Sequence, residues 1–96
     1  MHIIPFMAKI FAVIKERKSP PDRRVVLTPT ACLKLLKNHP EAKVIIESSD
    51  IRAFSDAEYQ AQGLEVKSDI NQSDILIGVK EVPINSLIPN KSYFFF

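Results

Sequence analysis

Ninety-six residues are room for one small domain with a modest core, and 46% hydrophobic against 25% charged residues is an ordinary globular balance. The net charge of +2, from 13 basic and 11 acidic residues, is too small to argue for a nucleic-acid partner. No apolar run approaches the roughly 18 residues that cross a membrane, and the single Cys32 excludes an internal disulfide and fits a reducing, cytoplasmic compartment.

The lead, residues 1–8, has neither the basic start nor the cleavage site of a signal peptide and reads as irregular or appended, with Met7 as a second candidate start. Ala8 to Glu16 reads as a first strand. Its continuous apolar centre, Ile10 to Ile14, is the pattern of a strand covered on both faces in a parallel sheet. Pro20 and Pro21 force an extended loop. Thr28 then caps a helix that opens on Pro29, where the missing N–H costs nothing. Cys32, Leu35 and Leu36 make its apolar face, Lys34 and Lys37 point elsewhere, and Asn38, His39 and Pro40 stop it.

Ala42 to Ser48 is a second buried-type strand. Ser55 and Glu58 form a capping box, with Phe54 and Tyr59 at the positions of a hydrophobic staple, and Gly63 is the left-handed stop of that short helix. Leu64 to Lys67 is a third strand, followed by a turn over Asp69 to Ser73. Asp74 to Val79 is a fourth strand, Pro83 to Leu87 a helical turn, and Ser92 to Phe96 a fifth strand. The rhythm predicts an α/β domain: a mostly parallel open sheet of four to five strands, Rossmann-like or flavodoxin-like, flanked by helices and joined by right-handed crossovers. The aromatic strand Tyr93 to Phe96 has no turn or cap after it, so the chain is expected to be part of a longer domain.

In such a sheet ligands bind beyond the carboxyl ends of the strands. The loop from Lys15 to Arg24 lies there and carries five cations against Glu16 and Asp22. The second strand runs into Ser48, Ser49, Asp50 and Arg52, and the fourth into Lys80 and Glu81. An arginine in that loop suits bidentate capture of a carboxylate. A lysine leaving an apolar strand is partly desolvated, which suits proton transfer; the plain alternative is a strand-end lysine reaching solvent. Glu81 reads as the salt-bridge partner beside Lys80. With only Gly63 and Gly78 there is no dinucleotide or P-loop fingerprint. No metal cluster or Ser-His-Asp arrangement is readable.

Three stretches carry a family pattern. Residues 14–29, IKERKSPPDRRVVLTP, resemble the opening of the superfamily of alanine dehydrogenases, transhydrogenase alpha subunits and lysine-forming saccharopine dehydrogenases. That pattern is a strand, Lys-Glu, a spacer, then Asp-x-Arg-Val-x-Leu-Thr-Pro. Phe54 to Val66 and Ser73 to Pro83 resemble the family's second and third motifs, with Val82 inserted before the last proline, and the terminal YFFF resembles the strand before the family's histidine. The usual glycine-rich approach to the second motif is replaced by ESSDIRAF, Glu47 to Phe54. The long spacer leans toward the saccharopine branch.

The resemblance implies a substrate-domain segment over residues 9–96 of a nicotinamide-dependent amino-acid oxidoreductase, with the nucleotide-binding domain elsewhere in the parent chain. It implies Arg24 as the substrate-carboxylate arginine and Lys80 as the catalytic, substrate-contacting lysine. NAD(H) or NADP(H) would serve the parent, and none is expected on this chain, which should be inactive alone. The expected partner is a small carboxylate-bearing amino or oxo acid, with neither nucleic acid nor membrane; a homo-oligomer is compatible. The competing reading is a stand-alone binding or interaction module that keeps the fold without the chemistry.

Overall fold

The computed structural model describes residues 9–20 and 22–96; the expected lead, residues 1–8, lies outside them. The elements in order are β1 (Ile10–Val13), α1 (Pro29–Asn38), β2 (Lys43–Glu47), α2 (Asp56–Ala61), β3 (Glu65–Lys67), β4 (Ile75–Gly78), a 3-10 turn (Ile84–Ser86) and β5 (Ser92–Phe95). They form one five-stranded sheet in the order β3-β2-β1-β4-β5, with every pair parallel. The chain grows outward from β1 to β3, then crosses back to place β4 on the other side of β1. The topological switch point, where open parallel sheets bind ligands, is therefore between β1 and β4.

Alternation along the strands divides the core between the two faces. Val13, Val44, Ile46 and Ile77 pack on one face with Cys32 of α1, Tyr59 of α2 and Leu64. Ala12, Ile14, Ile45 and Leu76 face the other way, beneath Ile70 and Val82, with Ile88 and Tyr93 beside them. One face is thus covered by helices and the other by the loops that enter and leave β4.

The local signals act as their chemistry dictates. The Thr28 hydroxyl accepts the Ala31 N–H at 3.1 Å, Pro29 opens α1, and His39 closes it. At α2, Ser55 accepts from the Glu58 N–H while Glu58 accepts from the Ser55 N–H. Gly63 has φ of +83°, the left-handed conformation that glycine tolerates. The strands are shorter than the apolar runs: β1 stops at Val13 rather than Glu16, and β4 at Gly78 rather than Val79. Hydrophobicity marks what is buried, whereas a strand lasts only while its neighbours keep register. Beyond Val13 the β1–β4 ladder ends with one more bond, Ile14 N–H to the Ile77 carbonyl at 3.0 Å.

Candidate functional site

Three carboxylates organise the carboxyl edge of the sheet. Glu47, the buried last residue of β2, accepts the Lys15 N–H through Oε1 at 2.9 Å and binds the Arg17 guanidinium with both oxygens. Glu16 accepts the Val79 N–H through Oε2 at 2.9 Å and the Lys80 N–H through Oε1 at 2.8 Å. Asp22 takes three donors from Arg24: the backbone N–H at 2.9 Å and Nε at 3.0 Å on Oδ1, and Nη2 at 2.6 Å on Oδ2. The Lys80 ammonium lies 3.6 Å from the same Oδ2.

Arg24 and Lys80 therefore stand on one edge of the sheet, as parallel topology requires, and they meet at one carboxylate. The cleft they were expected to share is lined as two adjoining cavities. Arg24 lines an apolar cavity of about 790 Å³ between α1, β4 and β5, and Lys80 lines a neighbouring one of about 430 Å³ beside Lys18, Glu81 and Phe95. Val79 and Phe96 belong to both walls. Asp22 is the residue that sequence reasoning left out. Locally it looks like a loop aspartate, and its tie to Lys80 spans 58 positions of chain. The Arg24 side chain, then its backbone N–H, holds the Asp22 carboxyl well below the usual carboxylate range, with the Lys80 charge adding to the effect.

One other expectation is corrected, and one residue of the edge is spent inside the fold. Glu81 does not pair with Lys80; its carboxylate reaches the Lys18 ammonium at 3.7 Å, and the Lys80 ammonium lies beside Asp22 instead. Arg52 does not offer itself to a ligand. Its guanidinium is buried and spent on the Phe54 carbonyl at 2.8 Å, the Glu47 carbonyl at 2.6 Å and Asp56 at 2.5 Å, and it lies 4.7 Å over the Tyr59 ring. Tyr59 in turn donates its hydroxyl proton to the Leu27 carbonyl at 2.7 Å, and the Ala53 N–H donates to the Arg23 carbonyl at 2.7 Å. The second motif and the approach to it thus form a brace that fixes both ends of the segment that presents Arg24.

The start of α1 is not built to hold a pyrophosphate. α1 begins with a proline, which has no N–H to offer a pyrophosphate, and the Thr28 hydroxyl is used on Ala31. The space a side chain would take at Gly78 is filled by Ile14 and Glu16. Burial pushes the Cys32 thiol up to about 11, so it stays protonated near neutral pH. Among the described residues no three His, Cys, Asp or Glu side chains gather to hold a metal, and no helix is long and apolar enough to cross a membrane.

The family model described as alanine dehydrogenase/PNT, N-terminal domain, matches residues 12–96. Curated relatives carry the name alpha-aminoadipic semialdehyde synthase. The Arabidopsis thaliana protein is 25% identical over 91 residues, covering 91% of this chain and 9% of its own length. The mitochondrial protein of Rattus norvegicus is 32% identical over 87 residues, again 91% of this chain and 9% of its own. That of Bos taurus is 41% identical over 54 residues, 56% of this chain and 6% of its own. The chain therefore spans about a tenth of the length of these relatives. It belongs to the alanine dehydrogenase/PNT N-terminal domain family, as the three sequence motifs implied.

Proposed function

We propose that this member of the alanine dehydrogenase/PNT N-terminal domain family is the substrate-binding portion of a nicotinamide-dependent amino-acid dehydrogenase of the alanine or saccharopine type. The observation that carries the reading is the chain Arg24–Asp22–Lys80 at the carboxyl edge, next to the switch point. Arg24 is 68% exposed and Lys80 39%, while the aspartate between them is only 7% exposed. Both cations are held in place from behind and keep donors for a ligand in front.

Arg24 grips the substrate carboxylate by charge-assisted hydrogen bonds. The Lys80 ammonium, oriented by Asp22, donates to the oxo or amino group of the same substrate and exchanges its proton there. Hydride chemistry belongs to a nicotinamide cofactor. The start of α1 offers a pyrophosphate no regular helix N-terminus, so on this reading the cofactor belongs to another domain of the parent, and this chain alone neither binds it nor turns substrate over. The relatives' printed names, which concern a semialdehyde of an amino acid, favour an amino-acid or oxo-acid substrate.

The test is calorimetric titration of the chain with pyruvate, alanine, lysine and saccharopine. Weak binding of at least one is expected, and Arg24→Ala should weaken it at least about tenfold, the loss of one charge-assisted pair. Unchanged binding by that variant would remove Arg24 from the site. Adding NADH and following the nicotinamide absorbance should show no turnover; steady turnover abolished by Lys80→Met would overturn the assignment of cofactor chemistry to another domain.

A further inference from the structure

We propose that Glu16 is the positioning residue for Lys80: its carboxylate ends strand β4 and turns the chain so that the lysine reaches Asp22. The proposal rests on the reading of Lys80 given above. Successive N–H groups of a regular strand point to opposite sides. Those of Val79 and Lys80 converge instead on the two oxygens of one side chain, at 2.9 Å and 2.8 Å. This happens where the ladder runs out: the last backbone bond between the two strands is Ile14 to Ile77, and two residues later the Glu16 side chain takes over from the backbone. The strand ends at Gly78, and the next two residues bend.

Gly78 makes this possible. A Cβ there would come within 2.9 Å of Ile14 Cγ1 and 3.1 Å of Glu16 Oε2, so a side chain would press on the seat of the carboxylate. Aspartate, one methylene shorter, would reach less far. Glutamine keeps the length but presents one acceptor and an NH₂ group that faces an N–H. Two donors converging on two oxygens demand a carboxylate of glutamate length. The Arg24 guanidinium is held charged chiefly by Asp22, and the Glu16 charge adds to that effect.

Glu16 touches no substrate in this account. It sets where the Lys80 backbone sits, and the ammonium then falls 3.6 Å from Asp22. The experiment compares the wild-type chain with Glu16→Gln and Glu16→Ala by NMR and pyruvate titration. In Glu16→Gln, exchange protection of the Val79 and Lys80 amides should fall at least tenfold while that of Ile45 and Ile46 in β2 holds. The cross-relaxation signal between the Lys80 ε-methylene and the Asp22 β-methylene should disappear, and pyruvate affinity should drop about fivefold or more, the scale of one lost hydrogen bond. A folded Glu16→Gln chain that keeps the Lys80–Asp22 signal and wild-type affinity overturns the proposal. So does equal loss of protection across the whole sheet, which would make Glu16 merely a stabiliser. Should Glu16→Ala fail to fold, the isosteric variant decides alone. If wild-type chain binds no pyruvate or other candidate acid, the functional reading fails, but the Lys80–Asp22 signal still judges the positioning claim.

Discussion

Among the described residues, two arginine–aspartate pairs stand in opposite surroundings. Arg52 and Asp56 lie under the α2 side of the sheet, where the arginine side chain is 4% exposed and also meets two carbonyls and an aromatic ring. Arg24 and Asp22 lie at the rim, with the aspartate covered and the arginine open. The same two residue types therefore do different work. A cation whose donors are used up inside the fold is structure, and one anchored from a single side with donors left over is equipped to hold a ligand. The contrast extends to whole halves of the sheet. The β2–β3 half is roofed by α1 and α2, whereas on the same face β4 and β5 border the 790 Å³ cavity, with Phe94 and Phe96 exposed.

The sharpest way to break the comparison is to remove each arginine. Arg52→Ala leaves Asp56 without its charge partner and two carbonyls without donors. Breaking a buried pair in this way costs on the order of 3–5 kcal/mol, and because Asp56 keeps some solvent contact the low end is expected. Arg24→Ala should cost less than Arg52→Ala, because the Arg24 side chain is 68% exposed and water screens its pair. Denaturant unfolding of both variants measures the difference; equal losses would mean that the rim pair is as structural as the buried one.

A smaller effect is expected at the brace between the two regions. Tyr59→Phe keeps the packing and deletes only the bond to the Leu27 carbonyl. It should cost about 1–2 kcal/mol, one hydrogen bond with its acceptor left unpaired. Because that bond holds the segment carrying Arg24, the variant should also weaken carboxylate binding modestly while remaining folded. Loss of stability with binding untouched would show that the brace steadies α1 alone.

What the sequence reveals follows the range of each interaction. The starts of α1 and α2 were legible because a cap is settled within four residues, as at Thr28–Ala31 and Ser55–Glu58. The parallel sheet was legible from continuous apolar runs, and topology placed Arg24 and Lys80 on one edge. Which carboxylate each cation meets was not legible. Lys80 finds Asp22 and leaves Glu81 to Lys18 because of how two distant loops cross, and no local rule records that. Arg52 read as an edge residue because its burial depends on the Glu47 carbonyl and the Tyr59 ring, both supplied by tertiary packing. The available signal was Asp56 four residues on, at the start of a capped helix, a spacing at which an arginine and an aspartate pair.

The smallest effect concerns acid. Both aspartates ionise more easily than usual, for different reasons. Burial opposes ionisation of Asp56, and the Ser48 hydroxyl, the Ser49 N–H and the Arg52 charge outweigh it. Asp22 owes its lowered value chiefly to the Arg24 side chain, then to the Arg24 N–H. A carboxylate whose folded value lies below its unfolded one, about 3.9 for aspartate, favours the folded state at every pH above the unfolded value. That contribution is lost as pH falls from there through the folded value, so both pairs weaken only in strong acid and neither responds between pH 5 and pH 8. Carboxyl carbon NMR of the wild-type chain should show Asp22 still ionised when exposed carboxylates are half protonated. In Arg24→Ala its midpoint should return toward the ordinary range, while the midpoint of Asp56, which answers to Ser48, Ser49 and Arg52, stays where it was. A joint movement of the two midpoints would mean that the rim and the buried pair form one electrostatic unit, and the division between ligand-holding and structural arginines would fail.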